Sequence, residues 1–410
     1  MKRLRVIYEG WGEHFDLGVL ADDGQHLLFE YTQAARDRGL ELSRFKLPLQ
    51  SATFGDFPAH QQRLPGLVAD SLPDGWGMLL MDRLFRVRGI DPYAVSPLDR
   101  LAVVGRRGMG ALSYAPESEA PIVVADVNLH TIADEVQQAM AGASEAVLRE
   151  LVLMGGSPHG ARPKVLVNVD RDANRMWNSE DAPGEPWLVK FPAQNEAPEV
   201  CAIEMLYSDL ARACGIEMPP TAHFDLGAQG AAFGIARFDR EDGLRVPVHT
   251  AAGVAHVDFR LPSLDYTNLL RLASFVTRDV RVVEALYARC VFNVIFNNRD
   301  DHAKNFSFRL DRDDHWRIAP AYDITFNRGP AGQHQMDIGG EARAPARAHL
   351  LKLAKDSGVK EASAARIIER TSDIAGELAV RASAFPIAAA TVAEIVEAVE
   401  ANRSRMRAAS

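Results

Sequence analysis

The feature that most restricts the fold of this chain is a long apolar segment that runs directly into a dense polar cluster. Residues 280–296 read as a helix that is apolar on most sides, so this helix should be buried. The next segment, Asn297–Ser307, contains two aspartates, a histidine, a lysine and three asparagines. These polar residues gather where the chain must turn toward a predicted strand, Phe306–Leu310, and they are the strongest local sign of a functional site.

The order of the predicted elements indicates the fold class. Short segments with partly alternating apolar and polar residues, such as Arg3–Tyr8 and Phe15–Leu20, predict strands at the start of the chain. The glycine-rich stretch Val103–Tyr114 predicts a hairpin, the middle mixes strands and helices, and beyond Pro345 the pattern is helical. We therefore predict an α+β fold of two lobes, one built on an antiparallel sheet and the other mainly helical.

Composition and charge exclude several classes of protein. The 410 residues are 47% hydrophobic and 25% charged, as in ordinary globular proteins. No apolar run approaches the roughly 18–20 residues of a membrane span, and no apolar signal region follows the basic start, so we expect a cytoplasmic protein without membrane contact. A net charge of −9 does not favour general binding to nucleic acid.

Two aspartates and an asparagine have the chemistry that phosphoryl transfer requires. One carboxylate must orient the attacking hydroxyl, while an asparagine and a second carboxylate hold Mg²⁺ against the phosphates. Asp300 and Asn305 have the D-x-x-x-x-N spacing of the protein kinase catalytic loop, whereas Asp301 and Asn305 do not. Asp323 lies further on in an apolar setting, where an unpaired carboxylate is costly. The alternative interpretation is a solvated turn held by local side-chain hydrogen bonds.

A lysine and a glutamate upstream complete a pattern known from kinases. Lys190 lies in the otherwise apolar strand Trp187–Phe191, so its charge requires a partner. Kinases use such a lysine to hold the α- and β-phosphates, and a helix glutamate to hold the lysine. Glu204 lies in the middle of the predicted helix Glu199–Cys214. The alternative is an edge-strand lysine that reaches solvent and a solvated glutamate.

Two further segments could contact a nucleotide. The glycine-rich segment Gly155–Lys164 precedes the predicted strand Val165–Val169, and its backbone N–H groups could hold phosphate. It matches neither the Walker A nor the G-x-G-x-x-G pattern, so a polar connection is the alternative. Arg237–Arg240 follows the strand Phe233–Ala236 and could form a hinge whose backbone meets adenine. Its alternative role is a strand end held by ion pairs.

These motifs together resemble the HipA family of bacterial toxin kinases, the toxin half of HipBA-type toxin–antitoxin modules. The matching segments run through nearly the whole chain. They are Leu64–Gly77, Gly156–Lys164, Leu188–Pro192, Arg237–Arg240, Asp300–Ser307 and Ala319–Ile324. The last two are very specific to this family, and the first indicates the N-terminal subdomain that full-length members carry.

The resemblance implies a protein-kinase-like fold with an extra N-terminal subdomain. We expect residues 1–115 to form this HipA-like subdomain. Residues 116–238 would form the kinase N-lobe, with the phosphate loop, the lysine strand and the glutamate helix. Residues 239–410 would form the helical C-lobe, with the catalytic and metal-binding loops. Members of the family are serine/threonine kinases, and the expected cofactors are ATP and Mg²⁺.

The resemblance also implies roles for individual residues. Asp300 is the expected catalytic aspartate, Asn305 and Asp323 are the expected Mg²⁺ ligands, and Lys190, steadied by Glu204, is expected to hold the phosphates. The expected ATP-binding set consists of Ser157, Pro158, His159, Gly160, Ala161, Arg162, Lys190, Ala236, Arg237, Phe238, His302, Lys304 and Tyr322.

Regulation, targets and partners also follow from the resemblance. Autophosphorylation of Ser157 would eject the phosphate loop and inactivate the kinase. The target would be a translation component such as an aminoacyl-tRNA synthetase, and its phosphorylation would produce growth arrest and drug tolerance. The expected partner is a HipB-like helix-turn-helix antitoxin. Because the chain is acidic, contact with operator DNA should come mainly through that antitoxin.

Two other functions stay open on the sequence alone. A small-molecule phosphotransferase of the aminoglycoside or choline type uses the same Asp/Asn/Asp chemistry. A non-catalytic co-repressor that works with the antitoxin would keep residual nucleotide binding only. The intact set of Lys190, Asp300, Asn305 and Asp323 argues against the co-repressor.

Overall fold

An antiparallel sheet forms the frame of the N-terminal part. The computed structural model describes residues 1–120, 123–155, 158–170, 175–194, 196–197 and 199–407. The strands of this sheet are β1 (Lys2–Tyr8), β2 (Phe15–Asp22), β3 (Leu27–Tyr31), β4 (Thr53–Phe54) and β5 (Leu112–Ala115), in the order β4-β3-β2-β1-β5. The accompanying helices are α1 (Gln33–Arg38), α2 (Gly66–Ala69), α3 (Gly75–Val87) and α4 (Pro97–Val104). The predicted early strands are therefore confirmed.

The hairpin predicted for Val103–Tyr114 is wrong. Ser96 and Asp99 form a capping box and Pro97 occupies the first turn, so a helix begins here and includes Val103 and Val104. Strand β5 then pairs antiparallel with β1, about a hundred residues earlier, rather than with its own neighbour. A strong N-cap and a long-range strand partner outweighed the local glycine pattern.

A second antiparallel sheet follows in the chain. Its strands are β6 (Asp126–Val127), β7 (Lys164–Asp170), β8 (Arg175–Trp177), β9 (Glu185–Lys190), β10 (Thr221–Asp225) and β11 (Ala231–Ala236), in the order β10-β11-β9-β7-β8-β6. The helices α5 (Leu129–Ala141), α6 (Glu145–Gly155) and α7 (Glu199–Ala213) belong to this region. Strand β9 lies between β7 and β11, so Lys190 at its end pairs with Lys164 on one side and Phe233 on the other.

The rest of the chain is mainly helical. The short strands are β12 (Arg240–Glu241), β13 (Leu244–Arg245), β14 (Val248–Thr250), β15 (Ser307–Leu310) and β16 (Trp316–Ile318). The helices are α8 (Ala251–Ala255), α9 (Tyr266–Thr277), α10 (Val280–Ile295), α11 (Arg347–Ser357), α12 (Glu361–Ala375), α13 (Leu378–Ala382) and α14 (Ala389–Arg407). Strand β15 pairs with both β14 and β16, which confirms the predicted pair at 306–318.

Two main apolar cores hold these parts together. One core is shared by the two sheets and includes Val6 of β1, Leu80 of α3 and Val165 of β7. The other surrounds α10, whose buried residues cover most of its surface, as predicted. Across the described ranges, no helix is both long and apolar enough to pass through a membrane.

Candidate active site

A lysine at the end of β9 binds two carboxylates that come from distant parts of the chain. The Lys190 Nζ donates to Glu204 of α7 and to Asp323 Oδ1, at 2.7 Å for the latter. Burial would lower the pKa of Lys190, but Asp323 and Glu204 outweigh that effect and raise it above its ordinary value. The two carboxylates therefore favour the charged form of the lysine, and the alternative of an edge-strand lysine reaching solvent does not apply.

The negative charge of the Asp323 carboxyl group is likewise balanced by nearby lysines. Burial would raise its pKa, but Lys190 and Lys164 hold the pKa well below its usual range. The backbone at Asp323 has a φ of 55°, in the left-handed region that a non-glycine residue seldom adopts. An ionised carboxylate in a strained backbone conformation is typical of a functional site.

Asp300 and Asp301 have different surroundings, although they are neighbours. Asp301 is buried and accepts hydrogen bonds from the Tyr266 hydroxyl, His334 Nδ1 and the Gln335 backbone N–H, each at 2.8 Å. The Asp300 side chain is 39% exposed, and its Oδ1 accepts from the Gln335 side chain at 3.1 Å. Asp301 therefore anchors the loop to the core, whereas Asp300 is accessible to a substrate.

The pKa of Asp300 is raised above its ordinary value. Its partial burial is the largest cause, and the negative charge of Asp323 adds to it against the opposing effect of His302. The two carboxyl groups therefore differ, since one is held ionised and the other is shifted toward accepting a proton. Such divergent pairs are common where one carboxylate binds a cation and the other acts as a base.

Asn305 is positioned to offer an oxygen beside Asp323. Its side-chain nitrogen donates to the Asp300 carbonyl at 2.6 Å, so the amide oxygen is the atom that remains for a cation. Asn305 and Asp323 both line the same cleft. Carboxylate and amide oxygens suit Mg²⁺, which is usually held by one or two protein groups together with nucleotide phosphates. The donor set of these two residues therefore fits the metal.

The cleft between the sheet and the helical part contains about 990 Å³ of unfilled space, counted to its open mouth. Its apolar side includes Leu188, Ile235 and Ala236, and the rings of Phe238 and Tyr322 lie 5.3 Å apart at 31°. The Tyr322 hydroxyl is held by Ser307 Oγ at 2.5 Å and donates to the Lys304 carbonyl at 2.6 Å.

The side chain of Arg237 is part of an ion-pair cluster beside the hinge. Its guanidinium donates to Asp239 at 2.8–2.9 Å and to Glu180, and Arg240 binds the same two carboxylates. The ion-paired strand end considered from the sequence is thus observed. Residues 236–238 line the cleft, so the hinge prediction keeps its geometric basis.

The glycine-rich loop enters the cleft from the N-terminal side. Pro158 and His159 line the cleft. Arg162 binds Glu196 at 3.1 Å and Glu204 at 3.3 Å, so it shares its glutamate with Lys190. Ala161 follows Gly160 in the same turn. Ser157, the predicted autophosphorylation site, lies outside the described residues.

Several charged residues at the cleft were not singled out by the sequence patterns. Lys164 lines the cleft, and burial together with Lys190 lowers its pKa to about 8. Asp70 accepts hydrogen bonds from His249 Nδ1 at 2.6 Å and from the Thr250 N–H and hydroxyl, both at 2.7 Å. Asp74 binds Lys304 at 3.0 Å. The sequence does show that these residues carry charge in apolar segments. It does not identify their binding partners, because those partners lie far away along the chain.

His302 and Lys304 flank the ring of Phe259. The His302 ring lies 5.2 Å from it, and the Lys304 Nζ lies 4.4 Å from its centroid. His302 Nε2 is 3.7 Å from Asp300 Oδ1. Of the predicted site, the residues that line the cleft are Pro158, His159, Lys190, Lys304, Asn305, Tyr322, Asp323 and residues 236–238. Glu204 is linked to the cleft through Lys190 and Arg162 through Glu204, while Asp300 lies near enough to Asp323 for the charge of Asp323 to raise its pKa. The Arg237 side chain is bound in the ion cluster.

Two family models match the chain. A family model described as the HipA-like C-terminal domain matches residues 156–378, and one described as the HipA N-terminal domain matches residues 10–115. No curated protein matches the chain.

One solved structure shows the same fold over nearly the whole chain. A chain from the Shewanella oneidensis MR-1 toxin–antitoxin complex of HipA, HipB and operator DNA is 17% identical and superposes with a TM-score of 0.72. The match covers 98% of this chain and 97% of that chain. The Helicobacter pylori proinflammatory kinase CtkA is 12% identical, covers 55% of this chain and 89% of its own, and has a TM-score of only 0.39. The first likeness confirms the predicted two-lobed, kinase-like α+β fold.

Proposed function

The chain belongs to the HipA family, and on that premise we propose that it is an ATP- and Mg²⁺-dependent protein serine/threonine kinase, the toxin of a toxin–antitoxin module. The observation that carries the proposal is the contact of Lys190 with both Glu204 and Asp323, at the cleft that Asn305 also lines. Phosphoryl transfer depends mainly on positioning and on the compensation of phosphate charge, and this cluster supplies both.

Each residue has a defined task in the proposed reaction. Lys190 binds the α- and β-phosphates, and Glu204 with Arg162 keeps that lysine in place. Asn305 and Asp323 would hold Mg²⁺, which would neutralise negative charge on the phosphates during transfer. The hydroxyl oxygen of a serine or threonine forms the new bond to phosphorus, and the bond to the ADP oxygen breaks.

Asp300 orients the attacking hydroxyl and accepts its proton. The raised pKa of this carboxyl group favours the accepting role. The apolar surface around Ala236–Phe238 receives the adenine ring, and the Pro158–Arg162 turn covers the phosphates. Autophosphorylation of Ser157 would withdraw that turn from the cleft and stop the reaction.

The biological setting is part of the same proposal. The structural relative is described in complex with HipB and operator DNA, which supports a HipB-like helix-turn-helix antitoxin as the partner here. Operator DNA would be contacted mainly through the antitoxin, given the net charge of −9. We propose a translation component as the target, for example an aminoacyl-tRNA synthetase, whose phosphorylation arrests growth.

Intact mass of the protein incubated with Mg²⁺ and ATP tests the proposal. Wild type should gain a phosphate at Ser157, identified by peptide mapping, and removal of Mg²⁺ with EDTA should prevent the gain. Asp300→Asn keeps the Gln335 contact but removes the base, so this variant should gain nothing. The matched control is Asp313→Asn, an exposed carboxylate in the β15–β16 turn, which should behave as wild type.

The outcomes separate the possible functions. Nucleotide binding with no protein phosphorylation, together with transfer to an amino-sugar or amino-alcohol substrate, would contradict a protein kinase. Nucleotide binding without transfer to any acceptor would contradict an enzyme altogether. Phosphorylation retained by Asp300→Asn would remove Asp300 from the catalytic role.

A further inference from the structure

A turn of the N-terminal part, beside the cleft, contacts both the phosphate loop and the catalytic loop. Asp74 stands at the start of α3, yet its side chain makes no cap bond with that helix. One carboxylate oxygen accepts from the Gly160 backbone N–H, and the other accepts from Lys304 Nζ at 3.0 Å. The side chains of Asp74 and Lys304 are each 14% exposed, so both lie largely out of solvent.

This turn forms hydrogen bonds with both the N–H and the carbonyl of Gly160. In addition to the bond to Asp74, the Gly160 carbonyl accepts from the Trp76 backbone N–H at 3.1 Å. Gly75 has a φ of 41°, and a Cβ placed there would lie 2.5 Å from the Gly160 carbonyl oxygen. The close approach therefore requires glycine at position 75 and keeps the turn and the phosphate loop in contact.

Near pH 7, Lys304 is the cation that balances the negative charge of Asp74 at this contact. His159 also faces Asp74, but burial and Lys304 lower its pKa to about 4, so it is neutral near pH 7. Burial would raise the pKa of Asp74, but His159 in its protonated form, Lys304 and the Gly160 N–H hold it below its ordinary value, so Asp74 remains ionised near pH 7. Lys304 lines the nucleotide cleft and also an adjoining groove formed with Phe259 and Arg260. The Asp74–Lys304 pair thus lies where the nucleotide cleft meets that groove.

We propose that Asp74 is a positioning residue for nucleotide binding, acting from the N-terminal subdomain through Gly160 and Lys304. Its carboxylate holds the phosphate loop in the cleft through Gly160 and fixes the charge of Lys304 at the cleft wall. The N-terminal subdomain therefore contributes to the ATP site through Asp74, in addition to residues such as Leu67, Asp70 and Ser71 that line the cleft directly. This inference rests on the function proposed above.

Two substitutions separate the two contacts of Asp74. Asp74→Ala removes both, whereas Asp74→Asn keeps an oxygen for the Gly160 N–H and loses the charge that holds Lys304. The matched control is Asp99→Asn, because Asp99 also binds a lysine, Lys2, at 2.6 Å and a backbone N–H, that of Ser96, at 3.0 Å, but away from the cleft. Each variant is compared in the full-length protein for its Kd for MgATP, its rate of phosphate gain and hydrogen exchange in residues 158–164.

A hydrogen bond to a charged group sets the size of the expected effect. Asp74→Ala should weaken MgATP binding about tenfold or more and speed exchange at Gly160 by a similar factor. Asp74→Asn should weaken binding about threefold and leave the exchange protection of Gly160 largely intact. Asp99→Asn should match wild type in all three measurements.

The outcomes distinguish this inference from the proposed function. Asp74→Ala with wild-type affinity for MgATP would overturn the inference, even if exchange at Gly160 became faster, because the contact would then be structural only. Wild type that binds MgATP without transferring phosphate would contradict the proposed kinase, and the comparison of Kd values would still decide the role of Asp74. Wild type that binds no MgATP would overturn both.

Discussion

Replacing Asp239 by asparagine tests the buried ion cluster beside the hinge. The Asp239 side chain is completely buried, and four donors face it. Its Oδ1 accepts from Arg237 Nε at 2.9 Å. Its Oδ2 accepts from Arg237 Nη2, Arg240 Nη1 and the Gly110 N–H, each at 2.8 Å. The carboxylate thus links the segment after β11 to a loop of the N-terminal part.

The arrangement of donors determines the loss on substitution. Asparagine costs the least stability when its amide nitrogen takes the place of Oδ1, because the nitrogen then faces one donor rather than three. Even so, one hydrogen bond from a charged donor is lost, which costs about 1.5–3 kcal/mol. The other three donors keep an acceptor without its charge, and two arginines lose a buried counter-ion. Since breaking a buried ion pair costs about 3–5 kcal/mol, we expect the free energy of unfolding to fall by that amount.

Urea unfolding at pH 7, followed by tryptophan fluorescence and far-UV circular dichroism, measures this loss. The matched control is Glu180→Gln in the same cluster, since the Glu180 side chain is 36% exposed and solvent screens its charge. Burial would raise the pKa of Glu180, but Arg237 and Arg240 lower it to about 2. The control should therefore also lose stability, but less than Asp239→Asn, because solvent reaches Glu180 and not Asp239. A loss below about 1 kcal/mol for Asp239→Asn, or equal losses for the two variants, would refute the reasoning.

The Asp239 contribution also has a definite pH dependence. Burial would raise the pKa of Asp239, but Arg237 and Arg240 hold it well below its ordinary value. A group with a depressed folded-state pKa contributes its full stability above the pKa of the unfolded chain, here 3.8. The difference between wild type and Asp239→Asn should therefore be constant from pH 5 to 7 and shrink as the pH falls below about 4.

Three other predictions follow from individual contacts. Glu204→Gln weakens the hold on Lys190 by about 1.5–3 kcal/mol, so kcat/KM for ATP should fall about ten- to hundredfold in a phosphate-transfer assay, and an unchanged value would contradict the role of the pair. Asp301→Asn should lower the free energy of unfolding in urea by about 2–3 kcal/mol, because Asp301 accepts three buried hydrogen bonds, whereas Asp300→Asn should change it by less than about 1 kcal/mol. Burial lowers the pKa of His159 to about 4 from 6.5, so the unfolded chain binds more protons between these values, and stability should fall by up to about 3 kcal/mol as the pH drops from 7 to 4. His159→Gln should reduce that fall in urea titrations at the two pH values, and an equal fall would assign it to other groups.

Much of the local structure could be predicted from the sequence. The helix α10 was identified from apolar residues on most of its sides, and strand β9 from its β-branched and aromatic content. The difference between Asp300 and Asp301 was predicted from the spacing to Asn305. These properties depend on residues within a few turns of one another, so a short window of sequence contains the information.

The hairpin predicted for Val103–Tyr114 shows where such windows fail. Glycines in this stretch are compatible with a hairpin, but the capping box before it already commits Val103 and Val104 to a helix. The partner of β5 is β1 rather than an adjacent strand. Strand pairing depends on which edge is available in space, and local patterns do not encode that edge.

The sequence by itself determined which residues have suitable chemistry, while the tertiary structure alone decided which of them meet. Lys190 and Asp323 are 133 positions apart, and Asp74 and Lys304 are 230 apart. A charged residue in an apolar segment reveals that a partner is required, because burial without one is costly. It does not reveal which partner, since that depends on how the sheets and helices pack. The direction of the Arg237 side chain depends on both kinds of information, because Asp239 lies only two residues away, whereas Glu180 is 57 positions away and only the folded chain brings it beside the arginine.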